Sequence, residues 1–368
     1  MTLDLSLLPD GGMSWLDASG PHGDIVLSSR VRIARNLQAK PFTVRAEPEV
    51  LLEIREQVVQ AARDCAAFED PAVFHVDALG RIERQLLHER HLISRELAGL
   101  ERQAEVKPGA TLLANGEIAL MVNEEDHLRM QSLQSGFDPL KAYRLLERLD
   151  SELGSRMPFA FHPEFGYLTA CPTNAGTGLR ASVLIHLPGL VLTKEIGKVL
   201  QGLSQVGLTF RGLYGEGSEV VGNFFQLSNQ TTLGKSEEDL LEHLGSMVRQ
   251  VVDYEAQARD VLQSEAPAVI ADKVWRAYGL LRYARSLSFE ETMNLLSGVR
   301  LGVGLNLIHD VSVYTLNKLL VFTQPAHLAN QEGRVLSDPE LPVSRASYVR
   351  RVLEGDAAHH SPDERAGP

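Results

Sequence analysis

Cysteine is scarce. With two thiols, Cys65 and Cys171, in 368 residues there is no disulfide framework to build, and lone thiols suit a reducing interior, so the cytoplasm is the expected compartment. Long apolar runs are missing as well. The longest, Leu187 to Leu192, contains Pro188 and falls far short of the ~18 residues of a membrane helix. The opening MTLDLSLLPDGG carries acids where a secretory leader carries bases, so neither export nor a membrane partner is expected. Basic residues are outnumbered, 36 against 48 acidic, and the net charge of −12 opposes general attraction to a nucleic-acid backbone. Lysine is rare within that minority: eight lysines stand beside 28 arginines. Arginine gives planar, bidentate contact to phosphate or carboxylate, yet the excess also follows from GC-rich coding or surface ion pairs, so position has to decide. What remains is ordinary. Hydrophobic residues at 44% and charged residues at 23% describe a folding globular chain, long enough for two or three domains.

Apolar residues Val50, Leu51, Ile54 and Val58 recur at helical spacing within 47–68, with Pro48 suited to the first turn. Glu117 to Val122 reads as a buried strand, NEED as a turn, and His127 to Leu133 as the return strand of a hairpin. Gly166 to Cys171 reads as a strand ended by the loop PTNAGTG, and Gly207 to Leu213 and Val220 to Leu227 bracket the loop YGEGSE. After Ser236 the pattern turns helical, with one stripe through Leu240, Leu244, Val248 and Val251. Further helices are predicted over Asp272 to Ser286, after Ser288 with Glu291 as a capping box, and over Ser312 to Phe322. This organisation predicts an N-terminal segment 1–23, a catalytic domain 24–256, a helical domain 257–355 and a flexible tail 356–368.

Several familiar signatures are incomplete. Gly176, Gly178 and Ala181 fit G-x-G-x-x-A, but Pro172, Thr173 and Asn174 separate the first glycine from the strand that a dinucleotide fold requires. Lys235 and Ser236 imitate the end of a P-loop, yet Asn229 stands at the first glycine, and Ser236 serves better as a helix N-cap. His88 and His91, and the pair His359 and His360, find no partners at zinc-ligand spacing, so no structural metal is expected. The arginines are more informative. Arg30 and Arg32 alternate onto one face of a strand in SSRVRIARN, and Arg129, Arg180 and Arg211 each adjoin a polar or glycine-rich turn. With Glu125 and Glu216 they predict an anion cradle beside carboxylates. The residues alone lead to phosphoryl transfer or to binding of a phosphorylated ligand.

At these residues the chain resembles the guanidino kinases, whose markers CP-S/T-N-x-GTGLR, NEEDHLR and S-S/T-R-V-R stand here as CPTNAGTGLR, NEEDHLRM and SSRVR. The resemblance runs from about Asp24 to Tyr254, and within the superfamily the whole chain is most similar to the bacterial protein arginine kinases. It implies an α+β fold, a large antiparallel sheet flanked by helices, followed by an all-helical C-terminal domain. Kinases of free guanidines carry an additional helical domain ahead of this core, whereas here the extra helices follow it. The resemblance places ATP contacts on Ser28, Ser29, Arg30, Val31 and Arg32, on His91 and Arg129, on Arg180, Ala181, Ser182, Val183 and Leu184, and on Arg211, Gly212, Leu213, Tyr214, Gly215 and Glu216. Leu184 replaces a family histidine and implies apolar packing there.

By the same resemblance Glu125 and Glu216 grip the guanidinium and Cys171 is the active-site cysteine. A guanidinium is a poor nucleophile until a carboxylate fixes its plane and takes a proton, the role expected of Glu125. Arg129, Arg180 and Arg211 with Mg²⁺ would neutralise the phosphoryl group in transit, and Arg30 and Arg32 would hold the other phosphates. The implied function is ATP-dependent phosphorylation of arginine side chains in proteins, a stress-response mark leading clients to a Clp ATPase/protease, with an McsA-like activator, a CtsR-like repressor and a homodimer as partners. A kinase of a free guanidino metabolite and a catalytically silent binder of ATP or phosphoarginine are the alternatives. One motif departs from the family. An RDxxRA segment that binds phosphoarginine reads LPVSRA here, so Arg345 is kept as an allosteric candidate while Leu341 and Pro342 replace the arginine and aspartate.

Overall fold

Side chains alternate across a strand, so each strand of this chain feeds two different surfaces. The computed structural model describes residues 3–101, 105–212, 221–230 and 232–359. Its first part contains β1 (Val26–Arg35), α1 (Pro48–Arg63), β2 (Ala72–His75), α2 (Arg81–Glu89), β3 (Thr111–Ala114), β4 (Ile118–Val122), β5 (Leu128–Ser135), α3 (Pro139–Arg156), β6 (Phe161–His162), β7 (Gly166–Tyr167), β8 (Leu179–His186), α4 (Pro188–Leu192), α5 (Ile196–Gln205), β9 (Leu208–Gly212) and β10 (Phe224–Asn229). Helices follow: α6 (Glu237–Glu265), α7 (Pro267–Tyr283), α8 (Phe289–Gly304), α9 (Val313–Phe322), α10 (Pro325–Glu332) and α11 (Glu340–His359). Among the described residues, eight strands form one antiparallel sheet in the order β2-β3-β4-β5-β1-β8-β10-β9, and β6 pairs with β7 in a hairpin of its own. The expected α+β architecture with a helical C-terminal region is the one observed.

One face of the sheet carries the main apolar core. Val31, Ile33, Leu120, Met130, Val183 and Leu227 pack on the stripes of α1, α3 and α6, including Ile54, Val58, Leu146, Leu149, Leu244 and Val248. The opposite face is divided. At one end Leu112, Ala119 and Met121 join Leu87 of α2 and Leu92, and at the other Leu184 and Phe224 are covered by residues of α7, α8, α9 and α11. Met13, Trp15 and Leu16 of the N-terminal segment wedge against Leu133 of β5 and Val321 of α9. Between these apolar ends lies the strip that carries the arginines.

Local capping follows the sequence reading at three serines. Ser236 Oγ accepts from Asp239 N at 3.1 Å while Asp239 Oδ2 accepts from Ser236 N at 3.3 Å, and Ser288 and Ser312 accept from Glu291 N and Thr315 N. At Ser288 this is the N-cap half of the predicted box. The helix α6 runs without a break across the boundary expected at 256/257. Its stripe continues through Glu255 and Arg259, a buried ion pair of 2.7 Å whose carboxylate also accepts from Gly189 N and Leu190 N, both at 2.9 Å. Helix α11 likewise passes Gly355, and Asp356 Oδ2 ties it to Ser312 N at 2.8 Å. The strand expected over Gly166 to Cys171 keeps only its first two residues. Leu168 N donates to Ala160 O, and Ala170 N leaves any ladder to donate to Asp126 Oδ1 at 2.6 Å.

Candidate active site

The NEED turn joins β4 to β5, and Asn123 begins it with φ of 58°, a left-handed conformation that asparagine tolerates. Its backbone N–H donates to His127 O at 3.0 Å, closing the turn, while its side-chain Nδ2 donates to Leu51 O at 2.8 Å. The three acids that follow have different fates. Glu124 is buried and receives Arg129 Nη1 on both oxygens, at 2.6 and 2.7 Å. Burial alone would raise its pKa, but the charge and hydrogen bonds of Arg129 win and hold it down at about 2. Asp126, also buried, accepts from Asn36 Nδ2 and Ala170 N, both at 2.6 Å, and so pins the turn to the segment entering Cys171. Glu125 stands between them half-buried, and among the described residues its carboxylate accepts no hydrogen bond.

The backbone around Glu125 is nevertheless held. Lys107 Nζ donates to Glu124 O, and Thr43 Oγ1 donates to Glu125 O. His127 accepts from Leu37 N at Nδ1, which leaves Nε2 to donate to Pro41 O at 2.9 Å. The side chain of Glu125 is thus free on a fixed base. Partial burial, and then the charges of Asp126, Glu124 and Glu96, push its pKa above the usual carboxylate value, against the pull of Arg129.

Register brings the arginines to the divided face. Arg32 of β1 lies opposite Arg180 of β8, Ala34 opposite Arg129 of β5, and Gln226 of β10 opposite Arg211 of β9. Partners directly opposite share a face, so Arg30, Arg32, Arg129, Arg180 and Arg211 form one strip. Arg30 reaches Gln226 Oε1 at 3.3 Å and Arg180 reaches Ser228 Oγ at 3.4 Å, long contacts for such strong donors. The Nε of Arg32 is buried with no hydrogen-bond partner among the described residues. Burial first, and then repulsion from Arg129 and Arg180, lowers the Arg30 guanidinium to about 10, and the same crowding lowers Arg32. A strip of this kind has the donors and charge for a polyphosphate, and its orphaned Arg32 Nε marks a position where an acceptor fits.

Alternation also divides the expected ligand set between the two faces of the sheet. Val31, Ala181 and Val183 point into the opposite core and are fully buried there, and Ser29 faces the same way, donating to Gly136 O and accepting from Asp138 N. Ser28, Ser182 and Leu184 remain on the arginine face, where Leu184 packs against the helical region. His91 lies edge-on to Trp15 at 5.4 Å, and burial together with Arg30 pushes its pKa down to about 3, so the ring is neutral. Gly212 ends β9, whereas Leu213, Tyr214, Gly215 and Glu216 lie outside the described residues. Among the described residues, no three His, Cys, Asp or Glu side chains gather as a metal site.

Cys171 is partly exposed, with Sγ 3.0 Å from Thr173 Oγ1, and Thr169 Oγ1 donates to its carbonyl at 2.7 Å. Gly176 and Gly178 lead into the strand β8, not into a helix, which removes the dinucleotide reading. The fold needs Gly178 for another reason: its φ is 66°, and a Cβ would sit 2.6 Å from Ala34 O. Glu124, Asp126 and Asn36 were not singled out in the sequence. The signal for the first two was the unbroken acid triplet of NEED, and Asn36 directly follows SSRVRIAR.

Arg345 faces inward. It is 3% exposed, donates Nε to Thr323 O at 2.8 Å and Nη1 to Leu287 O at 3.0 Å, and lies over the Phe289 ring. This geometry clamps α11 to the start of α8 and the end of α9. Arg345→Ala, by leaving two buried carbonyls without a donor, is expected to cost about 3 kcal/mol in denaturant unfolding. Unchanged stability with altered response to phosphoarginine would be the opposite result and would make Arg345 a ligand.

Comparison with known proteins adds an independent line. Residues 53–258 match the family described as ATP:guanido phosphotransferase, C-terminal catalytic domain, and residues 267–365 match the Protein-arginine kinase McsB C-terminal domain. A protein-arginine kinase of Symbiobacterium thermophilum is 47% identical over 92% of this chain and 96% of its own length. One from Brevibacillus brevis is 43% identical over 92% and 95%. Among solved structures, the substrate-free duplicated taurocyamine kinase of Schistosoma mansoni superposes with a TM-score of 0.57 at 26% identity. The match covers 74% of this chain and 40% of that one, so the chain spans about two fifths of that protein's length.

Proposed function

We propose, since the chain belongs to the ATP:guanido phosphotransferase family and there to the protein-arginine kinases, that Glu125 and the arginine strip are the two halves of its transfer site. The reaction is phosphorylation of arginine by ATP. The observation that carries the assignment is the division of labour in NEED: Glu124 is taken by Arg129, Asp126 by Asn36 and Ala170, and Glu125 alone is left to meet a substrate. In the transfer, a nitrogen of the acceptor guanidinium bonds to the γ-phosphorus as the bond to the ADP oxygen breaks, and Glu125 takes the proton released from that nitrogen. Glu216 is proposed to hold the remaining guanidinium nitrogens, with Cys171 at the edge of that pocket. Arg30 and Arg32 would bind the phosphates that stay with ADP, and Arg129, Arg180 and Arg211 would receive the charge that spreads over the moving group. Ser28, Ser182, His91 and Leu184 would line the rest of the nucleotide site. Magnesium enters this scheme carried by ATP, since the strip is cationic; it would add charge neutralisation at the phosphates.

The proposed physiological setting is the cytoplasm, in a homodimer, with a Clp ATPase/protease receiving the phosphorylated clients and McsA-like and CtsR-like proteins as activator and repressor under stress. A direct test of substrate class is incubation with ATP and Mg²⁺ and either free arginine or an unfolded protein, followed by analysis of acid-labile phosphate. The protein should be labelled at arginine, and free arginine little or not at all. Equal turnover of the two at matched concentration would replace the protein-kinase reading with a metabolite kinase.

A further inference from the structure

Two segments with exposed apolar side chains are hydrogen-bonded to the acidic turn and to Asn36 beside it. On one side Thr43 donates to Glu125 O and His127 to Pro41 O, and the next residue, Val44, is 69% exposed. On the other, Asn36 binds both Asp126 and Leu168 O, Ala160 N donates to Asn36 O, and the β6–β7 hairpin that follows shows Phe161 and Phe165 at 57% and 46% exposure. These rings are not loose. Phe161 meets Tyr167 edge-on at 5.3 Å, and Tyr167 lies 3.4 Å beneath the guanidinium of Arg35, itself buried and paired with Asp150 at 2.7 Å. A braced aromatic side chain loses little freedom when something binds it.

We propose that Val44 and the Phe161/Phe165 hairpin are a rim that grips the polypeptide on either side of the acceptor arginine, which makes arginines with apolar neighbours in an extended chain the preferred substrates. The inference rests on Glu125 receiving the arginine, and the occupant follows from covalent continuity. An arginine held at Glu125 brings its own chain with it, and at ~3.3 Å per residue its second and third neighbours lie ~7–10 Å along that chain from the arginine, where they meet the surface that surrounds the acidic turn. A free amino acid has no atoms to place there. The chemistry recognised is an apolar side chain on an unfolded stretch, the kind of surface a folded protein conceals.

Two extended peptides of equal length and charge test this, each with one arginine, flanked two and three residues away by leucines in one and serines in the other. The natural enzyme should prefer the leucine peptide by about tenfold in kcat/KM, through KM. The double variant Phe161→Ser/Phe165→Ser should bring the ratio near one, and Val44→Ser part of the way, with KM for ATP unchanged as evidence of an intact fold. Equal use of both peptides by the natural enzyme, or variants that lose both peptides in proportion, would overturn the rim alone. Turnover of free arginine with neither peptide labelled would overturn the protein-arginine reading itself, and the rim with it.

Discussion

Glu125→Gln should lower the rate of arginine phosphorylation by about a thousandfold at saturating ATP and leave ATP affinity within about twofold of the natural enzyme. The amide keeps the size and planarity of the carboxylate but can neither accept the guanidinium proton nor offset its charge. The loss should therefore fall on transfer. Glu124 and Asp126 cannot substitute, because one is locked to Arg129 and the other to Asn36 and Ala170. The pH profile gives a second readout. Burial and three neighbouring acids raise the Glu125 pKa above its ordinary 4.5, and the base works only when ionised, so kcat/KM should fall with decreasing pH along a limb centred above 4.5. In the glutamine variant the residual activity should lack that limb. Activity within about threefold of the natural enzyme would remove Glu125 from the role of base.

That assignment shows what a sequence can and cannot reveal about such a site. Alternation in SSRVRIAR is local, so the shared face of Arg30 and Arg32 was legible, as were the caps at Ser236 and Ser312. Which of two adjacent glutamates is free was not legible from pattern. It depends on Met121 lying opposite Arg129, a register that turns Arg129 back onto Glu124. The strand expected to reach Cys171 stops early for a similar reason: a side chain 44 residues away takes the amide of Ala170. The long α6 concealed its continuity because Glu255 and Arg259 look like surface charges, whereas they are buried against the first turn of α4. Arg345 is the converse. A motif suggests a ligand-binding guanidinium, and the folded chain gives that guanidinium the distant carbonyls of Thr323 and Leu287 as acceptors, which no local pattern shows. Local patterns carried the elements, and long-range hydrogen bonds decided which polar groups remain free for chemistry.

Arg180→Ala should act on both binding and transfer, raising KM for ATP about tenfold and lowering kcat about a hundredfold, for a loss near a thousandfold in kcat/KM. Arg180 stands directly across from Arg32, and its described partner within the sheet, Ser228 Oγ, is 3.4 Å away. A planar guanidinium on the strip can follow phosphate oxygens from the ground state into the transition state, where their charge redistributes. Structure predicts a separate signature for the folded state. The charge of Arg180 lowers the pKa of both Arg30 and Arg32, so its removal relieves like-charge repulsion in the strip. The variant should accordingly melt no lower than the natural protein in the absence of nucleotide, and gain less thermal stability than the natural protein when ATP is added. Arg180→Lys should restore part of the affinity but less of kcat, because an ammonium supplies the charge without the planar fork. If calorimetric titration found ATP affinity unchanged while the melting temperature dropped, Arg180 would be bracing the sheet and not holding the nucleotide.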